Sequence, residues 1–263
     1  MKKYLLFLLL PLFLYSKVQV TVTYPFEEFL VKKIGQKHVR IKKIDKLYNT
    51  TLNTLSKPEI AKLATRKAYF HMSLPIEKEY IKLLKNRNKD LFIFDMSKGI
   101  KKLKYKGKEN PYIWMDPLLT RTIAKNIYES LSLIDKFNKE YYFEYYTEFL
   151  DELDETFLKI KNKLNNSKIY NIFVYDEYWD YFLKRFKINI YRRDKRILKL
   201  NEIHTLSKLV KSNEIKAILI SNTDSLDIAK TIAGNLHIQI KSHDIFEKLY
   251  FYNLSILTKE LSK

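Results

Sequence analysis

A stretch without glycine or proline, residues 135–166, constrains the fold of this chain more than any other feature. Apolar residues recur through it at every third or fourth position, which indicates one long amphipathic helix: Phe143, Tyr146, Leu150, Leu153, Phe157, Ile160 and Leu164. With a rise of about 1.5 Å per residue, this helix is about 40 Å long, longer than a compact lobe needs. It is either a packed surface helix or a rigid connection between two lobes.

Strand and helix patterns alternate on both sides of this stretch. Strand-like alternation of apolar and polar residues is found at 17–24, 38–44, 67–72, 90–96, 169–175, 187–192, 215–221 and 237–242. Helical spacing of apolar residues is found between them, at 26–35, 57–66, 76–86, 117–133, 178–186, 201–213, 224–235 and 244–263. Alternating strands and helices indicate βαβ units and mostly parallel sheets.

The sequence therefore predicts an α/β protein with two small α/β lobes, parallel-rich sheets flanked by helices, and one long rigid helix that joins them. We expect an N-terminal lobe at 17–134, the connecting helix at 135–166 and a C-terminal lobe at 167–263. Gly35 ends the first helical pattern and is expected to act as its C-cap.

The N-terminus carries the pattern of a secretory signal peptide. Lys2 and Lys3 precede an apolar run over residues 4–15, which is short for a membrane span. We expect a signal peptide at 1–16, with cleavage near Ser16 and Lys17; the alternatives are a buried strand or a membrane anchor. The chain has no cysteine, so we expect a soluble periplasmic protein without disulfides and without a lipid-anchor cysteine.

Charge and motifs argue against two other classes of function. The formal net charge is +19, but the lysines are spread along the whole chain, which indicates a compositional bias and no nucleic-acid partner. The four glycines are scattered, so neither a dinucleotide-binding turn nor a P-loop can be formed. No nucleophile elbow and no zinc-protease motif is present. We expect a protein that is not an enzyme.

Two segments carry a resemblance to a known family. Residues 110–142 contain 110-NPYIWMDP-117, which is similar to a family motif N-P-H-x-W-x-D-P, and 175-YDEYWDYFLKRF-186 is similar to F-H-x-A-F-x-Y-F-x-x-R-Y. With the two-lobed pattern, they make the chain resemble the zinc/manganese-type substrate-binding proteins of ABC transporters. The resemblance implies a monomeric periplasmic receptor that captures a metal ion between its lobes and delivers it to an inner-membrane permease. The alternative is a relative that kept the fold, lost free-metal binding and serves as an accessory or partner-binding protein.

The family's metal ligands are three histidines and a carboxylate, and the resemblance places them on Thr51, Tyr112, Asp176 and Asp244. This is an all-oxygen set, which suits manganese or iron better than zinc. A tyrosine ligates well only as a phenolate, and its usual pKa of about 10 means that a strongly charged ion such as Fe(III) is needed. The implied ion is Mn, Fe or Zn.

Several of these residues have a second interpretation. Tyr112 either binds the ion or only lines the cleft, and Asp176 is alternatively the N-cap of the helix at 178–186. His243 and His71 are possible additional ligands; otherwise His243 is a loop residue. Asp116 is expected to cap a helix. Two tryptophans are expected to line the cleft walls or the lobe interface: Trp114 and Trp179.

Overall fold

The structure is a computed structural model that describes residues 17–44, 55–167, 169–193, 197–222 and 224–262. The predicted signal peptide lies outside these residues. The first lobe is a four-stranded parallel sheet with the strand order β2-β1-β3-β4. Its elements are β1 (Val18–Val22), α1 (Pro25–Gly35), β2 (Val39–Lys43), α2 (Lys57–Ala64), β3 (Ala68–His71), α3 (Pro75–Arg87) and β4 (Phe92–Asp95).

A short hairpin that the sequence pattern did not indicate follows β4. Its strands, β5 (Lys104–Tyr105) and β6 (Lys108–Glu109), have two residues each, too few to show an alternating pattern. Gly107 has φ 76° and Lys106 has φ 49° in the turn between them. Two helices come next in the chain, α4 (Pro117–Ile134) and α5 (Lys139–Asn165).

The second lobe is also a four-stranded parallel sheet, with the order β10-β9-β7-β8. Its elements are β7 (Asn171–Val174), α6 (Asp180–Arg185), β8 (Asn189–Arg192), α7 (Leu200–Ser212), β9 (Ala217–Ser221), α8 (Leu226–Leu236), β10 (Gln239–His243) and α9 (Tyr250–Leu261). The predicted fold class, two parallel α/β lobes and a long helix, is confirmed. Among the described residues, none of the helices has the length and hydropathy of a membrane span.

The long helix begins later than the sequence pattern indicated. A 3₁₀ turn, Lys136–Asn138, separates α4 from α5, so the helix starts at Lys139. Asp135 stabilises this turn, because its Oδ2 accepts hydrogen bonds from Asn138 Nδ2 (2.8 Å) and the Tyr142 hydroxyl (2.6 Å). The predicted boundary at 135 was therefore wrong by one turn.

Helix α5 packs against α1 and α4 of the first lobe and against α9 of the second. It is thus both a packed helix and the connection between the lobes. Phe143, predicted to lie on its apolar face, is 49% exposed, and Tyr142 is buried in its place. The buried residues of the helix are Tyr142, Phe149, Leu153, Ile160 and Leu164.

Two helices of the second lobe also begin later than expected. Helix α6 starts at Asp180 with Trp179 as its N-cap, so the alternative in which Asp176 caps this helix is wrong. Helix α9 starts at Tyr250, because residues 244–249 form a loop in which Asp244 Oδ1 accepts the Phe246 N–H at 2.9 Å. Residues 175–179 and 244–249 are therefore loops at the carboxyl ends of β7 and β10.

Position 35 favours glycine because the side chain of Val39 lies too close for a Cβ atom; the backbone conformation there does not require glycine. Its φ is −79°, and the C-cap is Gln36, with φ 43°. A Cβ at Gly35 would lie 2.3 Å from Val39 Cγ2. The expectation that Gly35 itself is the C-cap was wrong. Gly35 is the last residue of α1, where it packs against Val39 at the start of β2, and Gln36 is the C-cap.

Gly35→Ala is expected to lower the free energy of unfolding by about 1–3 kcal/mol, because the added methyl group overpacks the contact with Val39. Gly234→Ala in α8 is the matched control. In the described part of the chain, nothing lies within 4 Å of the position that its added methyl group would take, so the variant is expected to be more stable by about 0.5–1 kcal/mol. Urea denaturation measures both, and equal shifts for the two variants would contradict the explanation.

Candidate functional site

The strands of both sheets point their carboxyl ends toward the cleft between the lobes, where Tyr24 after β1 meets Phe246 after β10. Asp176 lies two residues after β7, and Asp244 follows β10 directly. Tyr112 belongs to the other lobe, in the segment between β6 and α4. Open parallel sheets bind ligands beyond the carboxyl ends of their strands, which makes this cleft the candidate site. Thr51 lies outside the described residues.

Tyr112 is half-buried and held at both its backbone and its ring. Its N–H donates to Asn110 Oδ1 at 2.9 Å, and its ring meets the ring of Tyr178 edge-on, with 4.9 Å between centroids. Burial raises the pKa of Tyr112, and the neighbouring Tyr178, Glu177 and Asp176 raise it further. The structure thus brings Tyr112 within electrostatic range of Asp176. Without a cation, Tyr112 is a neutral phenol.

Six rings from both lobes form what we call the aromatic cluster: Tyr24, Phe26, Tyr112, Trp114, Tyr178 and Phe246. Phe26 and Trp114 stack with centroids 4.0 Å apart. Tyr24 stacks across the cleft on Phe246 at 5.2 Å. Trp114 is buried, and its Nε1 donates to the Ile245 carbonyl at 3.2 Å. Trp114 therefore joins the lobes at the cleft.

The two aspartates are half-exposed, and both have partners within the second lobe. Asp244 Oδ1 accepts the Phe246 N–H, and the Asp176 carbonyl accepts Arg192 Nη2 at 3.1 Å. Within the described residues, no three carboxylate or imidazole side chains lie close enough to hold a metal ion together. A metal site built on Asp176 and Asp244 therefore needs oxygen donors of another kind, such as Tyr112.

Both ring nitrogens of His243 have partners inside the protein. Trp179 Nε1 donates to Nδ1 at 3.1 Å, and Nε2 lies 3.1 Å from the Asn253 carbonyl, so Nε2 carries the hydrogen. Burial lowers the pKa of His243, which keeps the ring neutral. A metal would have to replace one of these bonds. Trp179 is 1% exposed and holds this histidine.

His71 lies at the carboxyl end of β3, in the first lobe. It is buried, and its Nδ1 accepts the Ser73 N–H at 3.1 Å. The Ser73 hydroxyl donates to Asp95 Oδ2 at 3.0 Å, so the two strand ends β3 and β4 are linked. Burial lowers the pKa of His71 although Asp95 opposes the change. His71 is a neutral residue of the cleft edge.

Polar contacts between the lobes surround the cluster, and sequence patterns did not indicate them. Asp116 caps α4 as expected, with Oδ1 accepting the Leu118 N–H at 2.9 Å. Its two oxygens, Oδ1 and Oδ2, also accept the Nε–H of Arg185, a residue of the second lobe, at 2.9 and 2.8 Å. Asn110 Nδ2 donates to the Glu177 carbonyl at 2.7 Å, and the Tyr181 hydroxyl donates to the Asn110 carbonyl at 2.9 Å.

Comparisons with known proteins give a consistent result. Residues 20–260 match the family described as ZnuA, zinc-uptake complex component A, periplasmic. The manganese ABC transporter substrate-binding lipoprotein PsaA of Streptococcus mitis is 25% identical over 207 residues, which cover 68% of this chain and 65% of the relative. PsaA of Streptococcus anginosus is 26% identical over 210 residues, with the same coverage. The chain thus matches slightly less than two thirds of the length of these relatives.

Solved structures show the same fold. A crystal structure of ZnuA superimposes with a TM-score of 0.82 at 20% identity, covering 94% of this chain and 98% of the other. A zinc-bound variant of AdcAII from Streptococcus pneumoniae gives a TM-score of 0.80 at 20% identity, covering 94% of this chain and 100% of the other. Since the family match extends over nearly all described residues, the resemblance stated above is confirmed, and the chain belongs to the ZnuA family.

Proposed function

We propose that this protein is the exported substrate-binding protein of a metal-ion ABC transporter. It captures a metal ion in the cleft between its lobes and delivers it to an inner-membrane permease, as a monomer without enzymatic activity. Family membership supports this function, and so do the relatives named as manganese-transporter binding proteins. Export is supported by the signal-peptide pattern at 1–16.

The observation that carries the proposal is the contact of Tyr112, a matched ligand position of the first lobe, with the two loops of the second lobe that carry Asp176 and Asp244. Tyr112 of the first lobe contacts Tyr178, and the charge of Asp176 from the second lobe acts on its hydroxyl. Asp244 sits at the end of β10 and is bonded to Phe246, whose ring lies 6.3 Å from that of Tyr112. These contacts between the lobes support a binding site in the cleft.

The oxygen-rich character of the site favours a hard cation as cargo. Carboxylates suit Mn(II) and iron, whereas zinc prefers nitrogen and sulfur donors. The histidines nearest the site have occupied nitrogens or a buried, neutral ring. We therefore place Mn(II) and iron ahead of Zn(II) as the transported ion, with Thr51 as a further oxygen donor implied by the resemblance.

Metal binding is expected to stabilise the protein, by about 2.7 kcal/mol at a metal concentration a hundredfold above Kd. Calorimetry with Mn(II), Fe(II), Fe(III) and Zn(II), together with the shift in melting temperature, measures this. The double variant Asp176→Asn with Asp244→Asn is expected to abolish both signals while the protein stays folded. The reason is that the amides keep the side-chain volume and the hydrogen-bond acceptor at Asp244 but remove the charge.

The matched control is Asp90→Asn with Asp151→Asn, which changes the net charge equally at two exposed carboxylates. It should bind metal as the unmodified protein does. Tyr112→Phe distinguishes between the two roles of Tyr112, because it removes only the hydroxyl oxygen. Metal binding should weaken if Tyr112 is a ligand and stay unchanged if Tyr112 only lines the cleft. If the unmodified protein binds none of the four ions, the proposal fails and an accessory or partner-binding role replaces it.

A further inference from the structure

A pair of glutamates is buried in the first lobe, beneath the cleft. Glu27 of α1 and Glu77 of α3 are both 0% exposed. Each occupies the third position of its helix and accepts backbone N–H groups of the preceding turn through Oε2. Glu27 binds the N–H groups of Thr23 (2.8 Å) and Tyr24 (2.9 Å). Glu77 binds those of Met72 (3.0 Å) and Leu74 (2.8 Å).

Glutamate at this helix position normally stays near the surface. Glu59 of α2 is an example in the same lobe, since its carboxylate accepts the Ser56 N–H at 2.8 Å and remains partly exposed. Helices α1 and α3 instead point their cap carboxyl groups inward, where each group acts on the pKa of the other. Thr23 and Tyr69 lie between them: the Thr23 N–H donates to Glu27 Oε2, the Thr23 and Tyr69 hydroxyls are 2.5 Å apart, and the Tyr69 hydroxyl lies near Glu77 Oε1. The turn after β1 and the turn after β3 are thereby connected through two side chains.

Among the described residues, no basic side chain is a leading influence on this pair. Besides each other, the groups that act most strongly on the two carboxyl groups are backbone N–H groups and the Thr23 hydroxyl; no lysine, arginine or histidine of the described residues is among them. The Tyr69 hydroxyl lies 3.4 Å from Glu77 Oε1. Burial raises the pKa of Tyr24 and Tyr69, the titratable neighbours, so both are neutral.

One oxygen of the pair, Glu27 Oε1, lacks a hydrogen-bond donor among the described residues. This oxygen is buried, and no N–H or hydroxyl group of the described residues donates to it. Two ionised carboxylates in contact inside a protein repel each other and lose their hydration, so one of them takes up a proton. A proton between the two carboxyl groups gives this oxygen a hydrogen-bond partner and removes one of the two charges.

We propose that Glu27 and Glu77 share one proton at neutral pH, and that this proton holds the turns after β1 and β3 together at the cleft edge. The turn after β1 carries Tyr24, which stacks on Phe246 of the second lobe. The position of the aromatic cluster is therefore tied to the protonation of this pair. Burial, with the nearby Glu77, raises the pKa of Glu27 well above its usual value, in agreement with Glu27 as the protonated partner.

The proposal fixes the sign of a pH dependence. In the unfolded chain both carboxyl groups are ionised at neutral pH, so the folded protein binds about one proton more. The stabilisation that the shared proton contributes is then fully present below the usual pKa of glutamate. It falls as the pH rises toward the raised pKa of the pair in the folded protein. Within that range the unfolding constant is expected to increase about tenfold per pH unit.

Glu27→Gln tests the shared proton, because the amide imitates a protonated carboxyl group. Its oxygen can accept the Thr23 and Tyr24 N–H groups, and its NH₂ can donate to Glu77. Urea denaturation is measured between about pH 5 and about pH 9 in the presence of a chelator. The difference between the variant and the unmodified protein is expected to grow in favour of the variant as the pH rises. The control Glu59→Gln should follow the unmodified protein throughout.

The infrared spectrum of the unmodified protein gives a second measurement that does not depend on the folding of a variant. At neutral pH it should show the carbonyl stretch of one protonated carboxyl group, and this band should be absent from Glu27→Gln. Parallel stability curves for Glu27→Gln and the unmodified protein would overturn the proposal, as would a spectrum without the band. Neither measurement requires metal binding, so the outcome is independent of the transport function.

Discussion

Leu153→Pro is expected to lower the free energy of unfolding by more than about 3 kcal/mol. Proline in a helix interior removes a backbone hydrogen bond and clashes with the preceding turn. Leu153 also lies in the middle of α5, where it is fully buried between the lobes. Losing its side chain there adds a cavity, which costs about 2–5 kcal/mol in comparable cores. Urea denaturation monitored by circular dichroism measures the change.

Alanine variants separate the two causes. Leu153→Ala keeps the helix and should cost about 2–5 kcal/mol through the cavity alone. Leu158→Ala, on the same helix at a residue that is 53% exposed, should change stability by less than about 0.5 kcal/mol. An unchanged stability for Leu153→Pro would mean that residues 139–165 do not form a continuous helix.

Arg185→Ala is expected to destabilise the protein by about 3 kcal/mol, because it leaves the Asp116 carboxylate buried without its partner. The Asp116 side chain is 4% exposed, whereas that of Arg185 is 34% exposed, and their closest atoms are 2.7 Å apart. The remaining bond from the Leu118 N–H does not neutralise the charge. Because this pair joins the lobes, its loss should also loosen the cleft, which hydrogen exchange at residues 110–118 would detect.

Arg121→Ala provides the comparison for this variant. Arg121 forms a similar pair with Asp154, at 2.5 Å, but the two side chains are 37% and 51% exposed. Exposed pairs of this kind contribute about 0.2–1 kcal/mol. Equal losses of stability for Arg121→Ala and Arg185→Ala would show that burial of Asp116 does not determine the strength of its pair.

The order of strands and helices was predictable because each element carries its own periodicity. Both sheets and the long helix followed from residue spacing. Two features of only a few residues did not follow. Asp135 interrupts the long helix through bonds to Asn138 and Tyr142, and a sequence window shows only a helix-compatible stretch there. The β5–β6 hairpin was missed because its strands are too short to show a period.

The candidate site was predictable only in part. The positions of Tyr112, Asp176 and Asp244 came from the family resemblance, and periodicity would not have selected them. The contact of Arg185 with Asp116 joins residues far apart in the chain. Likewise, Glu27 and Glu77 each look like an ordinary surface cap, since nothing local shows that both helices direct their carboxyl groups into the same interior. In both pairs, the charge environment of the carboxyl group depends on a residue that is distant in the sequence.

The two sheets share one hydrophobic core, which extends from Val22 and Phe26 through Leu153 of α5 to Val174 and Leu257. Each lobe also has a smaller core of its own, but the residues of this shared core are buried only when both halves of the chain are in place. The lobes are therefore halves of one cooperative folding unit, and heat should unfold them in a single transition. If the cleft binds an ion as proposed, we expect the ion to enter by rearrangement of rings and loops at the mouth of the cleft, because separating the lobes would expose the shared core.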